Sequence, residues 1–451
     1  MAEYNIIYGP PGTGKTTRLL EIIDFELGTM GVPSDQIAFV TFTRKGANEG
    51  INRAAAKFDL PYEAFPYFRT LHSFAHSFNK RKVMTDRELK DFAYKTGLKL
   101  DDGEEDALYM EYIDLYRNNR TAAAPLQEQL NSEKILWVMK QYKKYKETFA
   151  LVDFTDIIEN YEGPAPVEVA IIDEAQDLTT LQWEMVHKAF AHCKRVYIAG
   201  DDDQAIFGWS GADVNTFLNL RGHTEILSKS YRLPDNLVKY AKRITDNISK
   251  RVEKEYTGNG SKGLVEEVNS LREILINRDE QYLLLARNQY LLNKYAEWLT
   301  RLDIPYVMNG VPVISDKDLH AVTEWERLRR VGSMTKQEEY MFSRIKRVDA
   351  TLAKPWYEAF NWSVDKILYM RDRIANKQVL VMPKVNLSTI HQVKGGEADN
   401  VVLMTDLSKK AKVELDIMPD SEHRVFYVGA TRAKKTLTIV KPMTKNCYHY
   451  L

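Results

Sequence analysis

An early segment of the chain has the residue types and the spacing of a phosphate-binding loop. Residues 9–16, Gly-Pro-Pro-Gly-Thr-Gly-Lys-Thr, fit the pattern G-x-x-x-x-G-K-[ST] and follow the apolar run Ile6-Ile7-Tyr8. Glycines let backbone N–H groups point at phosphate oxygens, and the start of the following helix favours negative charge. We expect Lys15 to reach the β- and γ-phosphates and Thr16 to bind Mg²⁺. The loop predicts ATP binding through Gly9, Pro10, Gly12, Thr13, Gly14, Lys15, Thr16 and Thr17.

A second segment, far along the chain, ends an apolar run with paired acids. The run Val169-Ala170-Ile171-Ile172 reads as a buried strand and leads into Asp173-Glu174-Ala175-Gln176-Asp177. Asp173 could hold the Mg²⁺, and Glu174 could orient and deprotonate an attacking water. Taken alone, these acids could equally form a solvated turn. Together with the phosphate loop they predict ATP hydrolysis.

A third segment, Gly200-Asp201-Asp202-Asp203-Gln204, places a glutamine after three acids and another apolar run. Gln204 could contact the γ-phosphate and report its loss. The alternatives are a metal site built from the three acids, or a plain solvated loop. Because we do not expect three adjacent acids at a strand end to face one ion, the metal site is the weaker alternative.

Strands and helices alternate around these segments in two stretches of the chain. Such alternation predicts an α/β fold with parallel sheets. In the first stretch we predict strands at 4–8, 36–41, 169–172 and 195–199, with a helix at about 15–27. In the second we predict strands at 282–286, 304–307, 385–389, 400–404 and 436–440, with a helix at about 289–302. Polar, helical sequence at about 80–150 and about 315–380 reads as two insertions.

The composition limits the class of protein. The chain has 451 residues, too many for one core, and its 44% apolar and 28% charged residues are typical of a soluble globular protein. No run is long enough to span a membrane, and the strand at the N-terminus leaves no room for a signal peptide. Cys193 and Cys447 have no metal-ligand spacing, which suits a reducing cytosol. With a formal net charge of zero, a nucleic-acid partner would need basic residues gathered locally in a groove.

Eight segments, in addition to the phosphate loop, resemble in order the sequence motifs of UvrD/Rep-type superfamily 1 DNA helicases. They are residues 39–47 (motif Ia), 69–74 (Ib), 153–156 (a signature before motif II), 173–177 (II), 200–212 (III), 228–232 (IV), 389–397 (V) and 426–433 (VI). The resemblance extends over almost the whole chain. Eight signatures in the family's order are far more specific than any one of them.

The resemblance implies two RecA-like P-loop domains with parallel sheets and ATP in the cleft between them, each domain carrying a helical insertion. We predict the first, ATP-binding domain at 1–80 and 150–225, with its helical insertion at 81–149. The second domain is predicted at 226–331 and 385–451. Its insertion, 332–384, is much smaller than the large regulatory subdomain of the family.

The resemblance also assigns roles around the nucleotide. Arg232 and Arg432 correspond to arginine fingers that the second domain brings to the transferred phosphoryl group. Tyr231 would stack on the adenine, and Glu397 would approach the sugar. The family's adenine-reading glutamine lies upstream of the phosphate loop, and we expect that contact to be missing because the sequence begins at Met1. Ser210, Ser230 and Gly396 replace the usual Arg, Asn and Leu.

Single-stranded DNA is implied as the track, lying across both domains. Phe42 and Trp209 occupy the base-stacking positions of the family, and stacking accepts any base. Thr70, His72, Phe207 and His391 are carried over as further DNA contacts. Phe42 directly continues a strand and could instead be buried, and either histidine could be structural. Trp209 lies between Gly208 and Ser210-Gly211, a loop-like setting that disfavours a core role.

The function implied is an ATP-dependent DNA helicase or translocase that moves 3′ to 5′ on single strands and acts at duplex junctions. One alternative is a motor that translocates or strips proteins without unwinding, and another is a nucleotide-gated nucleic-acid-binding module. The resemblance implies replication or repair proteins as partners, no membrane, and the cytoplasm of a bacterial or phage-infected cell, at the nucleoid. RNA stays open as a track, because only a contact to the 2′-hydroxyl would distinguish it.

Overall fold

Two mainly parallel sheets form the framework of the chain, each in its own compact unit. The computed structural model describes residues 3–101, 104–121, 130–302, 304–375 and 383–451. The first unit comprises Met1–Val238, Thr245–Ser261 and Pro419–Tyr427, and the second comprises Lys239–Ile244, Lys262–Met418 and Val428–Leu451. The predicted α/β class with parallel sheets is confirmed. The predicted boundaries of the RecA-like domains stay a prediction.

The described residues of the first unit form eight strands. In chain order they are β1 (Glu3–Tyr8), β2 (Ile37–Thr41), β3 (Phe68–Thr70), β4 (Lys82–Val83), β5 (Leu151–Val152), β6 (Val169–Asp173), β7 (Arg195–Gly200) and β8 (His223–Ile226). Six of them form one sheet in the order β3-β2-β6-β7-β1-β8, with all pairings parallel. Strands β4 and β5 form a separate parallel pair.

The strand register brings the chemically interesting segments to one edge of this sheet. Tyr8 at the end of β1 pairs with Gly200 at the end of β7, and Thr41 at the end of β2 pairs with Asp173 at the end of β6. Strands β2 and β6 are buried along their whole length, which explains their continuous apolar sequence. Because all four strands run in the same direction, the loops that follow them meet at their carboxyl ends, where α/β sheets bind ligands.

Helices pack on both sheet faces and form the first insertion. In the first unit they are Lys15–Asp24, Arg44–Phe58, Leu71–Phe78, Asp86–Thr96, Glu105–Asn119, Ser132–Thr148, Phe154–Glu159, Thr180–Ala189 and Val214–Leu218. The helix predicted at 15–27 ends at Asp24 and continues as a π-helical turn, Phe25–Thr29. The inserted helices have an apolar core of their own around Phe92, Tyr109 and Tyr142.

The second unit contains a seven-stranded sheet and the second insertion. Its strands are β9 (Leu264–Val268), β10 (Tyr282–Ala286), β11 (Tyr306–Met308), β12 (Val311–Pro312), β13 (Val385–Thr389), β14 (Ala398–Met404) and β15 (Ala433–Val440), in the order β12-β11-β13-β10-β14-β15-β9. Only the β11–β12 pairing is antiparallel among the pairings described. Its helices are Leu292–Arg301, Asp316–Val331, Lys336–Phe342, Trp356–Ala359, Val364–Ala375 and Lys409–Ile417. Those of the insertion pack around Trp325, Phe342 and Phe360.

Two more helices, Asp235–Thr245 and Pro419–Ala430, contain residues of both units. Among the described residues, no helix combines the length and the apolar composition that crossing a membrane requires.

Candidate active site

The phosphate loop joins β1 to the helix Lys15–Asp24 and is shaped by its own backbone. Gly12 and Gly14 have φ angles of +72° and +79°, in the left-handed region that glycine adopts without strain. The N–H of Gly9 donates to the carbonyl of Gly200 on β7 at 2.9 Å, and the hydroxyl of Thr13 donates to the carbonyl of Pro10 at 2.8 Å. The loop leads into the N-terminus of a ten-residue helix, whose partial positive charge suits the binding of an anion.

Lys15 meets both acids of the second predicted segment. Its Nζ lies 2.7 Å from Oε1 of Glu174 and 3.7 Å from Oδ1 of Asp173. The side chains of Lys15 and Asp173 are largely shielded from solvent, and that of Glu174 is partly exposed. Burial alone would lower the pKa of the Lys15 ammonium, but the two carboxylates outweigh burial and raise that pKa above its ordinary value. Burial raises the pKa of Asp173 to about 6, against the opposing pull of Lys15. The structure thus brings together a cation and two carboxylates that were predicted from segments far apart in sequence.

Glu174 has an unusual backbone conformation for its residue type. It follows the last residue of β6 with φ 56° and ψ 39°, in the left-handed region. A non-glycine residue there stores backbone strain, and such strain is concentrated at functional sites. The carboxylate of Asp173 accepts a hydrogen bond from the N–H of Glu174 at 2.9 Å and helps to hold this turn.

The site suits Mg²⁺ by the chemistry of its donors. Asp173 offers carboxylate oxygens, and Thr16 lies in the first turn of the helix that follows the phosphate loop. A hard cation of this kind prefers oxygen ligands, usually one or two carboxylates together with the phosphates of a substrate. These two residues would hold the ion.

Gln176 is a residue of the site that the sequence analysis did not assign. Its side chain is fully buried, and its Nε2 donates to Oε2 of Glu174 at 2.6 Å and to Oδ2 of Asp177 at 3.3 Å. Its Oε1 accepts the backbone N–H of Asp201 at 3.0 Å. A Cβ built on Gly200 would lie 2.5 Å from this oxygen, so only glycine fits there. Gln176 therefore joins the paired acids to the segment that carries Gln204.

Gln204 lies in the short turn Asp202–Gln204 that follows β7. Its Nε2 donates to Oδ2 of Asp201 at 2.7 Å, which restrains the side chain. Together with the contacts of Gln176, this hydrogen bond places Gln204 in the same bonded network as Glu174 and Lys15.

The expectation that three adjacent acids would not face one ion was wrong. The ammonium of Lys254 lies 3.4 Å from Asp201, 2.5 Å from Asp202 and 2.9 Å from Asp203. The strand has already ended at Gly200, and the turn that follows rotates all three carboxylates to one side, which an extended strand could not do. The ion is an ammonium. Among the described residues, no group of three or more His, Cys, Asp or Glu side chains is arranged to hold a metal.

The segment that resembles motif IV lies directly on the phosphate loop, within the first unit. The hydroxyl of Ser230 donates to the carbonyl of Pro11 at 2.7 Å, and the N–H of Tyr231 donates to the carbonyl of Gly12 at 2.8 Å. A Cβ built on Gly12 would lie 2.3 Å from Cβ of Arg232. The serine that replaces the usual asparagine thus bonds the loop, and it orders residues 230–232 against the phosphate-binding backbone.

Tyr231 has an exposed ring that lies beside the same loop. The residue is 70% exposed, and its Cε2 would lie 3.7 Å from a Cβ on Gly14. The ammonium of Lys229 is 5.6 Å from the centre of the ring. An open aromatic face at this position could accept a nucleotide base.

Arg432 and Glu397 both lie in the second unit. Nε of Arg432 donates to the carbonyl of Val428 at 2.9 Å, and one of its terminal nitrogens lies 3.4 Å from the carbonyl of Gly396. Glu397 forms an ion pair with Lys434 at 2.7 Å. Their roles towards the triphosphate and the sugar stay predictions.

Three of the predicted DNA-binding residues are aromatic residues on loops of the first unit. Phe42 follows β2 and is half-buried, and its ring stacks on that of Phe207 with centroids 5.9 Å apart and an interplanar angle of 23°. Trp209, in the turn Gly208–Ser210, is 66% exposed. These positions leave aromatic surface available next to the segment that carries Gln204.

The other predicted DNA contacts are polar. Thr70 caps the helix Leu71–Phe78 by accepting the N–H of Ser73 at 3.3 Å. The ring of His72 packs edge-on against Phe154 at 5.9 Å, and burial lowers the pKa of this histidine. His391 follows β13 in the second unit, where its carbonyl accepts the N–H of Lys394 at 3.4 Å.

Comparison with known proteins identifies the class to which this fold and site belong. The family model of the UvrD/REP helicase N-terminal domain matches residues 1–225, and that of the UvrD-like helicase C-terminal domain matches residues 352–443. The first match contains the phosphate loop, the paired acids and Gln204. The chain belongs to the UvrD/Rep-type family of superfamily 1 helicases.

Individual relatives agree with the family models. A probable DNA helicase II homolog of Mycoplasma pneumoniae is 23% identical over 86% of this chain and 60% of its own length. A probable DNA helicase of the same organism is 24% identical over 97% of this chain and 80% of its own length. The ATP-dependent DNA helicase PcrA of Leuconostoc citreum is 24% identical over 68% of this chain, which spans 48% of that protein. The chain therefore spans between about half and four fifths of these relatives.

Among solved structures, the arterivirus nonstructural protein 10 (helicase) aligns with 98% of this chain and 60% of its own, with a TM-score of 0.39 and 10% identity. A similarity of this size is too low to support a functional comparison.

Proposed function

We propose that this chain is an ATP-dependent DNA helicase or translocase that moves 3′ to 5′ on single-stranded DNA. The observation that carries the proposal is the bonded network running from Lys15 through Glu174 and Gln176 to Asp201 and Gln204. This network connects the residues suited to ATP hydrolysis with the turn that contains Gln204. The loop after that turn carries the aromatic side chains of Phe207 and Trp209. The names of the relatives, which include DNA helicase II and PcrA, support DNA as the track.

The roles of the residues in hydrolysis follow from their positions. The phosphate-loop backbone and Lys15 bind the phosphates of ATP. Thr16 and Asp173 would hold Mg²⁺, which would neutralise phosphate charge there. Glu174 orients the attacking water and accepts its proton. Lys15 and Glu174 are 2.7 Å apart in this structure. When ATP binds, the Lys15 ammonium turns to the phosphates, and this contact is lost. Gln204 contacts the γ-phosphate.

The remaining nucleotide contacts come from two regions. Tyr231 stacks on the adenine and Arg232 stabilises charge on the γ-phosphoryl group, since the segment 230–232 already lies on the phosphate loop. From the second RecA-like domain, Arg432 would supply a further cation and Glu397 a contact to the sugar. Hydrolysis removes the γ-phosphate contacts that favour a closed cleft, and this loss drives the stepping motion.

The DNA track runs over loops of both domains in this proposal. Phe42, Phe207 and Trp209 provide stacking surfaces, and Thr70, His72 and His391 provide polar contacts. Stacking on aromatic rings supports binding that tolerates any sequence. Because Phe207 and Trp209 lie a few residues after Gln204, a change at the γ-phosphate can reach the DNA along one short segment.

The direct test is ATP hydrolysis by the purified chain, measured without nucleic acid, with single-stranded DNA, and with single-stranded RNA of the same sequence. We expect DNA to raise the rate several-fold and Glu174→Gln to abolish turnover while ATP still binds. No hydrolysis under any condition would refute a motor and leave the nucleotide-gated binding module.

Strand separation is tested on duplexes with either a 3′ or a 5′ single-stranded tail. A 3′-to-5′ helicase opens only the duplex with the 3′ tail. Displacement of streptavidin from biotinylated single strands without any duplex opening would instead identify a translocase that strips proteins.

A further inference from the structure

Lys254 is a buried cation near the proposed ATP site, yet none of the roles proposed above uses it. Its side chain is 0% exposed, and it lies in the first unit outside all the segments that resemble helicase motifs. Its ammonium faces the carboxylates of Asp201, Asp202 and Asp203 at 3.4, 2.5 and 2.9 Å. The ring of Tyr8, which immediately precedes the phosphate loop, lies 5.8 Å away.

The segment around Lys254 holds the acidic turn at several further points. Arg251 makes two hydrogen bonds to the carboxylate of Asp203, at 2.8 and 2.7 Å. The N–H of Val252 donates to the carboxylate of Asp202 at 2.9 Å. From a distant part of the chain, Nε of Arg424 donates to the backbone carbonyl of Asp202 at 2.8 Å. The turn is therefore fixed through side chains and backbone together, with Lys254 at its centre.

Stability alone does not explain such a cluster. Desolvating a cation and three carboxylates is costly, and well-packed apolar residues of similar volume often give an equal or greater stability. The attraction to these carboxylates outweighs burial and raises the pKa of the Lys254 ammonium, so it stays charged. What the cluster provides that an apolar core would not is a defined orientation for each carboxylate.

Asp201 transmits that orientation to the ATP site. One of its oxygens faces Lys254, and the other accepts the amide of Gln204 at 2.7 Å. Its backbone N–H donates to Gln176, whose amide donates to Glu174. The same Asp201 oxygen that faces Lys254 also accepts the N–H of Asp203 at 3.2 Å. Without the ammonium, the Asp201 carboxylate would keep this backbone hydrogen bond but lose its charged partner, and its hold on the amide of Gln204 would loosen.

We propose that Lys254 is a positioning residue for ATP hydrolysis, acting through Asp201 to hold Gln204 in place for the γ-phosphate. This inference rests on the proposed function. Lys254 would contact neither ATP nor the attacking water, because its side chain is enclosed by protein. It sets the geometry of Gln204, which would contact the γ-phosphate. The loop with Phe207 and Trp209 begins at the same turn, so Lys254 also fixes the starting point of the link between ATP and DNA.

The experiment compares Lys254→Met, Lys254→Arg, Gln204→Ala and the double variant Lys254→Met/Gln204→Ala in the DNA-stimulated ATPase assay. We expect Lys254→Met to lower kcat by about 10- to 100-fold, the range for displaced supporting residues, and to leave the KM for ATP within about 3-fold. Lys254→Arg restores part of kcat. Because both changes act on one side chain, the double variant should lose hardly more than Gln204→Ala.

Lys146→Met is the matched control. Lys146 is also buried in the first unit, between Asp153 and Asp156 at 2.6 Å each, and the proposed ATP site does not use it. The Lys146→Met variant should lose stability, as Lys254→Met does, but its kcat should stay unchanged. Should Lys254→Met fail to fold, the charge-compensated Lys254→Met/Asp202→Asn is measured in its place, with the same expectations.

Three results would overturn the inference: an unchanged kcat, effects of Lys254→Met and Gln204→Ala that simply multiply, or an equal fall in kcat for Lys146→Met. An inactive wild-type chain would instead overturn the proposed function, so the two failures are distinguishable.

Discussion

The close packing of residues 230–232 on the phosphate loop can be tested with three glycine substitutions. Gly12→Ala places a methyl group 2.3 Å from Cβ of Arg232 and 2.9 Å from the hydroxyl of Ser230, at a backbone φ of +72°. The left-handed conformation costs an alanine about 1–2 kcal/mol. Relieving the clash requires a shift of more than about 1 Å, because carbon atoms in contact are about 3.5–4 Å apart. Such overpacking costs about 1–3 kcal/mol more.

Two other glycines separate these contributions. Gly14→Ala meets the same unfavourable φ, but its nearest neighbour, the ring of Tyr231, is at an ordinary 3.7 Å. We therefore expect Gly14→Ala to lose only about 1–2 kcal/mol, and Gly12→Ala about 2–5 kcal/mol. Gly28, in the π-helical turn, has no neighbour within 4 Å of the added methyl group. Gly28→Ala should be neutral or stabilising by up to about 1 kcal/mol.

The assay is urea-induced unfolding of the nucleotide-free protein, so that lost phosphate contacts do not enter the comparison. Binding of a fluorescent ATP analogue is measured separately, and we expect Gly12→Ala to bind it more weakly because residues 230–232 are displaced. A Gly12→Ala variant as stable as Gly14→Ala would show that the segment does not pack on the loop, and the reasoning would fail.

Three further changes test other parts of the molecule. Lys15→Ala should abolish ATP hydrolysis and leave single-strand affinity largely intact; normal turnover would refute its place in the site. Trp209→Ala should weaken single-strand binding by about 1–3 kcal/mol in fluorescence anisotropy, whereas Trp137→Ala, a second exposed tryptophan, should have no effect. Arg195→Met leaves the buried carboxylate of Glu26 without its cation. It should lower the free energy of unfolding, measured with urea, by about 3–5 kcal/mol. A decrease below about 1 kcal/mol would count against a buried ion pair.

The sequence predicted those strands whose residues are buried on both faces. Strands β2 and β6 are continuous apolar runs because both sides of the sheet are covered. Strand β8 at the edge of the first sheet, His223–Ile226, is mostly exposed and polar, and strand β9 carries Glu266 and Glu267. Neither has a hydrophobic pattern that would distinguish it from a loop.

The site was predictable where a residue acts within a recognisable spacing. Asp173 ends a strand, and Lys15 and Gln204 each follow one, in known patterns. Lys254 was missed because a lysine in a charged stretch normally lies on the surface, and nothing local indicates that it faces three carboxylates some fifty residues upstream. The same missing information led to the wrong expectation for the acidic turn, whose geometry depends on that distant partner.

The pairing of β1 has a consequence for how the chain folds as it is made. Strand β1 is made long before its two neighbours in the sheet, β7, which begins at Arg195, and β8, which begins at His223. At about 5–20 residues per second, the nascent strand waits on the order of 10–40 s for its first partner. The turn after β7 also waits for a distant partner, because Arg424, which bonds the carbonyl of Asp202, follows it by 222 residues. A chain whose synthesis stalls before Arg195 would leave β1 as an exposed apolar strand, and one that stalls before Arg424 would leave the turn beside the proposed ATP site incomplete. Either chain would be a substrate for chaperones and proteases.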